Sequence, residues 1–168
     1  MKEALIMNTI TLQKISKIKS LPNKRQFVAW AKQALPPNKK NHELVIRIVD
    51  TKEMTKLNKK YRKKNKPTNI ISFPFDPPPR MKTNFLGDLV ICAPIVKQEA
   101  KLQHKTIAAC FAHLVIHGVL HLLGYDHKKN QDAKKMEALE IKHLKKLGFE
   151  DPYKLYHCSH SSLRNHIK

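Results

Sequence analysis

Acidic residues are scarce in this sequence: 13 Asp plus Glu stand against 33 Lys plus Arg in 168 residues, a formal charge of +20. The imbalance runs along the whole chain rather than sitting in a tail, so it belongs to the folded body. A body charged that heavily calls for a polyanionic partner, and nucleic acid is the favoured one. Cysteine is sparse as well. Cys92, Cys110 and Cys158 are odd in number, far apart and form no C-x-x-C, so no disulfide framework is indicated. Cys92 and Cys110 lie in apolar surroundings, where a reduced thiol packs as a small hydrophobe. The first residues lack the charged-then-apolar-then-small pattern of an export signal. The longest apolar stretch, Ile107 to Tyr125, holds three histidines and reads as a core helix, not a membrane span. These absences point to the cytoplasm and to no membrane partner. No internal repeat stands out, and the length suits one domain with a core that needs no disulfide staple.

The elements follow from local patterning. Ile6 to Leu12 alternates as a first strand. Asn23 suits the N-cap of a helix to about Leu35, with Phe27, Val28, Trp30, Ala31 and Leu35 inward and Pro36-Pro37 ending it. Leu44 to Val49 is a β-branched strand, and Asp50-x-x-Glu53 resembles a capping box opening a helix through Tyr61. Thr68 to Phe73 reads as strand, Pro74 to Met81 as loop and Leu86 to Cys92 as a fourth strand. Pro94 suits the first turn of a helix to about Gln103. A last amphipathic helix, Gln131 to Leu147, carries Met136, Leu139, Leu144 and Leu147 near helical spacing and closes at Gly148. The fold class is α+β, a small mixed sheet of about four strands packed with helices. Residues 1–156 are expected to form a single domain, and 157–168 a polar, flexible tail.

The chemistry is concentrated in His117-Gly118-Val119-Leu120-His121-Leu122-Leu123-Gly124-Tyr125-Asp126-His127. Residues four apart share a helix face, so His117 and His121 point the same way. Gly124 stands where a helix commonly ends in the left-handed conformation, and the reversed chain can return His127 to the same point. Three nitrogen ligands leave one tetrahedral position for water or substrate, the pattern of a catalytic zinc, one per chain. No Cys is placed to be a fourth ligand. The same zincin-like spacing occurs in metzincin peptidases, which carry a Glu base directly after the first His. Gly118 holds that position here, so the metal must supply most of the activation, or the substrate is not a peptide.

Three blocks together resemble the YbeY-type rRNA maturation factors, a family of bacterial metallo-endoribonucleases. They are Leu57-Asn58-x-x-Tyr61-Arg62 leading to Thr68-Asn69-Ile70-Ile71-Ser72-Phe73-Pro74, then Leu86-Gly87-Asp88-Leu89-Val90-Ile91, then His113-Leu114-Val115-Ile116-His117 through His127. The resemblance implies zinc held by His117, His121 and His127 and a functional Arg62. It also implies single-stranded rRNA as substrate, a role in maturing the 3′ end of small-subunit (16S) rRNA and in ribosome quality control, and contact with the ribosome or its proteins. The family commonly carries Asp where this chain has Asn65.

The remaining candidates are weighed residue by residue. His113, one turn before His117, suits a supporting or core role better than ligation. Asp126 either orients a neighbouring imidazole or is a solvated turn residue, and Asp88 is left open. Lys52 to Lys66 contains eight basic residues and one acid. Within that run the Arg62 guanidinium can hold two phosphate oxygens and offset transition-state charge. Lys63, Lys64 and Lys66 would then bind flanking phosphates without reading sequence. Tyr61, Phe73 and Phe75 are candidates for base stacking, with core packing the safer reading for Phe73. Two rival functions remain: a metallopeptidase, against which Gly118 counts, and a non-catalytic, zinc-stabilised ribosome assembly factor.

Overall fold

The computed structural model describes residues 7–37 and 41–154. Four strands and five helices appear in the order β1 (Thr9–Lys14), α1 (Lys24–Ala34), β2 (Glu43–Val49), α2 (Thr51–Arg62), β3 (Ile70–Pro74), β4 (Phe85–Cys92), α3 (Ala93–Leu102), α4 (Ile107–Leu122) and α5 (Asn130–Lys146). The sheet order is β1-β2-β4-β3; β1, β2 and β4 are parallel, and β3 runs antiparallel along β4. The expected mixed α+β sheet is therefore the observed one. The final stretch, 155–168, lies outside the described residues, and with it the expected tail.

Strand alternation sorts the apolar residues onto two faces. Leu44, Ile46 and Ile48 of β2, Leu89 and Ile91 of β4 and Ile70 of β3 join the main core with α1, α3, α4 and α5. Val49, Val90, Cys92 and Ile71 face the other way, onto Met54 and Leu57 of α2. Phe27 anchors the main core, with Trp30 and Phe111 both at 5.3 Å between ring centroids and edge-on. Fully burying an aromatic of that size contributes about 1.5–3 kcal/mol. Leu144 and Met136 of α5, each 1% exposed, close the core behind α4. Among the described residues no single helix is long and apolar enough to cross a membrane.

Boundaries shift where tertiary pairing overrides local pattern. Among the described residues the first strand is Thr9–Lys14, two residues past the expected end at Leu12, because its ladder is set by β2, from Thr9 opposite Glu43 to Lys14 opposite Ile48; the expected start, Ile6, lies outside the described residues. Asn23 does cap α1: its side chain accepts from Gln26 N at 3.0 Å and Gln26 Oε1 accepts from Asn23 N at 2.9 Å. The capping box expected at Asp50 and Glu53 does not form. Asp50 instead accepts from the Ser16 hydroxyl and from Lys17 N at 3.2 Å, while Glu53 takes Arg47 Nε at 2.8 Å. Partners outside the helix, those of Asp50 more than thirty positions away and that of Glu53 six, outcompeted the cap. Strand β3 starts at Ile70 because the preceding Asn69 folds its own side chain onto Ile70 N at 2.7 Å.

Candidate metal centre

Helix α4 begins at Thr106, whose hydroxyl accepts from Ala109 N at 3.1 Å, and it is buried along nearly its whole second half. It ends as the sequence suggests. Gly124 takes φ +96°, and Tyr125 N donates back to Leu120 O at 3.0 Å, turning the chain. That reversal brings His127 to the two helical histidines. Ring centroids lie 4.6 Å apart for His117 and His121, 4.9 Å for His121 and His127, and 5.7 Å for His117 and His127. One nitrogen from each ring falls within 4.8 Å of the other two, so the trio could hold a metal ion.

The outward nitrogens explain which atoms face inward. His117 Nδ1 donates to Glu140 Oε1 at 2.5 Å, and His121 Nδ1 donates to Tyr125 O at 2.9 Å. A proton on each Nδ1 leaves each Nε2 as a lone pair. Those two Nε2 atoms stand 3.1 Å apart. Two acceptors at that distance repel unless a cation lies between them, and ligands at ~2.0–2.1 Å in a tetrahedron would be ~3.3 Å apart. The donor set therefore fits a borderline cation that prefers imidazole. The electrostatics agree. Burial first, then neighbouring His117 and His127, bring the His121 pKa down to about 4, so this imidazole is neutral and ready to ligate near pH 7.

Glu140, buried at 1% exposure, was not singled out in the sequence. Burial raises its carboxyl, but hydrogen bonds and attraction from His113 and His117 outweigh that and hold it well below the usual carboxylate range. Its signal was present in the pattern. Glu140 lies between Met136 and Leu144 at spacings of four, so a carboxylate interrupts the apolar stripe of α5. His113 is a partner of a ligand's partner: its Nε2 donates to Glu140 Oε2 at 3.0 Å.

Two acids leave the metal centre. Asp126 Oδ1 accepts from His127 N at 2.7 Å and so orders the turn rather than an imidazole. Asp88 alternates with Leu89, which belongs to the α4 side of the sheet, so Asp88 faces the α2 side, where burial raises its pKa. Gly118 contacts the sheet. A Cβ there would stand 2.7 Å from Leu89 Cδ2 and 3.0 Å from Ile70 Cδ1, so a side chain at that position meets β4 and β3, not the histidines.

A family model described as Endoribonuclease YbeY matches residues 8–148, most of the chain. The chain belongs to the endoribonuclease YbeY family. Its members are endoribonucleases of rRNA processing, and this chain is one, acting on RNA. The solution structure of TM1509 from Thermotoga maritima is similar in fold, with a TM-score of 0.52 and 23% identity, covering 87% of this chain and 99% of that one.

Other family-like residues have structural roles that the fold makes plain. Asn58, 1% exposed, donates to Lys66 O at 2.7 Å and so fastens the loop after α2. Lys63 ends α2 in the left-handed conformation (φ 59°), and Lys64 N returns to Asn58 O at 3.3 Å. Asn69 Nδ2 donates to Glu99 at 3.2 Å, tying the start of β3 to α3. Gly87, at φ +136°, lets β4 approach β3 so closely that a Cβ would lie 2.1 Å from Phe73 O. Arg62 is half-buried at the end of α2, which lowers its pKa, and its guanidinium has no hydrogen-bond or ion-pair partner among the described residues. Lys63, Lys64 and Lys66 are exposed beside it, and Tyr61, 54% exposed, stands edge-on to Phe73 at 4.9 Å.

Proposed function

We propose that this protein is a zinc-dependent, single-strand-specific endoribonuclease that matures the 3′ end of 16S rRNA and serves ribosome quality control in the cytoplasm. His117, His121 and His127 hold one zinc ion per chain, and the ribosome or its proteins are the partners through which it meets its substrate. The observation that carries the reading is the paired Nε2 atoms of His117 and His121, 3.1 Å apart with both Nδ1 atoms already engaged, in a chain of an endoribonuclease family.

When bound, the metal supplies Lewis acidity toward a phosphoryl oxygen and a means of activating water near neutral pH. The protein's own residues do the rest. Arg62, half-buried and unpaired among the described residues, holds non-bridging oxygens of the scissile phosphate and offsets the charge that develops there. Lys63, Lys64 and Lys66, on a loop fastened by Asn58, bind flanking phosphates whatever the sequence. The exposed Tyr61 ring offers a face to an unpaired base. Lack of a carboxylate after His117, with Gly118 pressed on Leu89, argues against peptide hydrolysis.

The test is to compare wild-type protein, His117→Ala and Arg62→Ala for zinc content and for cleavage of single-stranded RNA spanning the 16S 3′ end. His117→Ala is expected to lose both. Arg62→Ala should keep zinc and lose cleavage by about 10²–10³-fold. Cleavage by His117→Ala at the wild-type rate overturns the site.

A further inference from the structure

Burying a carboxylate is costly unless its oxygens are satisfied. Among the described residues Glu140 meets that condition with three side-chain donors and no backbone donor. Oε1 accepts from His117 Nδ1 at 2.5 Å; Oε2 accepts from His113 Nε2 at 3.0 Å and from the Tyr153 hydroxyl. Tyr153 belongs to the segment just beyond α5, and that segment is itself tied down. Pro152 O accepts from Lys105 Nζ at 2.8 Å, one residue before the α4 cap, and Asp151 Oδ1 accepts from Tyr153 N at 2.8 Å.

We propose that Glu140 and Tyr153 are positioning residues for the metal centre: Tyr153 and His113 hold Glu140 in place, and Glu140 sets the tautomer and ring orientation of His117. The inference rests on the metal site proposed above. An imidazole without a fixed partner carries its proton on either nitrogen and rotates about its side-chain bonds. A carboxylate on Nδ1 demands the proton there, aims Nε2 at His121 and raises its basicity as a ligand. Glu140 has three side-chain torsions of its own, so a single bond to His117 would not hold it. The two donors on Oε2 remove that freedom. The chain after α5 thereby reaches the metal ligands through one hydroxyl.

The test uses the full-length protein and zinc affinity measured by competition with a chromophoric chelator, the ligand-field spectrum of the cobalt-substituted form, and thermal unfolding without metal. Glu140→Gln, which puts an amide between two imidazole donors, should weaken zinc binding by roughly 10- to 100-fold and shift the cobalt bands. Tyr153→Phe keeps the ring and removes only the hydroxyl; it should weaken binding in the same direction by roughly 3- to 10-fold. Wild-type affinity and a wild-type cobalt spectrum in both variants overturn the proposal, whatever their unfolding temperatures, because a purely structural link between α4 and α5 moves stability alone. If Glu140→Gln does not fold, Tyr153→Phe decides by the same criterion. A wild-type protein that binds zinc no better than His117→Ala defeats the metal site itself, an outcome distinct from a failure of Glu140 and Tyr153 to matter.

Discussion

Replacing Gly118 with alanine opposes two effects of known size. In a helix interior alanine is favoured over glycine by ~0.8–1.0 kcal/mol. Against that, the new methyl would lie 2.7 Å from Leu89 Cδ2 and 3.0 Å from Leu89 Cδ1 and Ile70 Cδ1, where carbon atoms prefer ~3.5–4.0 Å. Leu89 is fully buried and Ile70 5% exposed, so neither side chain can swing into solvent. Overpacking of this kind costs about 1–3 kcal/mol. The difference is a net loss of about 0–2 kcal/mol, centred near 1, or a fall in Tm of roughly 2–4 °C for a chain this long. Urea unfolding in chelator is the assay, since bound metal would add its own stabilisation. Gly118→Glu should be worse, because it drives a carboxylate against Leu89 and Ile70 with no donor there. It should also gain no peptidase activity. A Gly118→Ala protein more stable than wild type by the full helix-propensity gain would refute the close approach of α4 to the sheet.

Further predictions rest on other parts of the molecule. The His121 pKa of about 4 lies below the ordinary 6.5, so the unfolded chain takes up this proton first; metal-free stability should hold above pH 6.5 and fall as pH drops from there towards 4. A urea midpoint that stays flat across that window would contradict the neutral buried imidazole. Binding to a single-stranded RNA should weaken steeply with salt, and joint replacement of Lys63, Lys64 and Lys66 by alanine should lower the log–log slope by about 2, at ~0.7 per phosphate. An unchanged slope in filter-binding measurements would remove them from the RNA path. Asn23→Ala removes the side-chain half of the α1 capping box, the bond from Gln26 N, and should cost about 1 kcal/mol in urea unfolding, with cleavage unaffected. Loss of cleavage at unchanged stability would tie α1 to the site in a way the fold does not suggest.

Local rules made much of this protein legible before its fold was seen. Helix ends at Asn23, Pro94, Gly124 and Gly148 follow from backbone chemistry that needs no neighbours, and so does the shared face of His117 and His121. The excess of positive charge is likewise a property of composition. Tertiary structure alone decided the rest. Asp50 gave up its cap for Ser16 across the chain, a partner separated by 34 positions. Gly118 reads as a missing base in one dimension and as a point of contact with β3 and β4 in three. Glu140 and Tyr153 join the histidines only because α5 packs along α4, and their separation in sequence hid them. Short-range geometry repeats along a chain and can be read from spacing. Long-range hydrogen bonds depend on which faces meet, and that is settled only when the whole core closes.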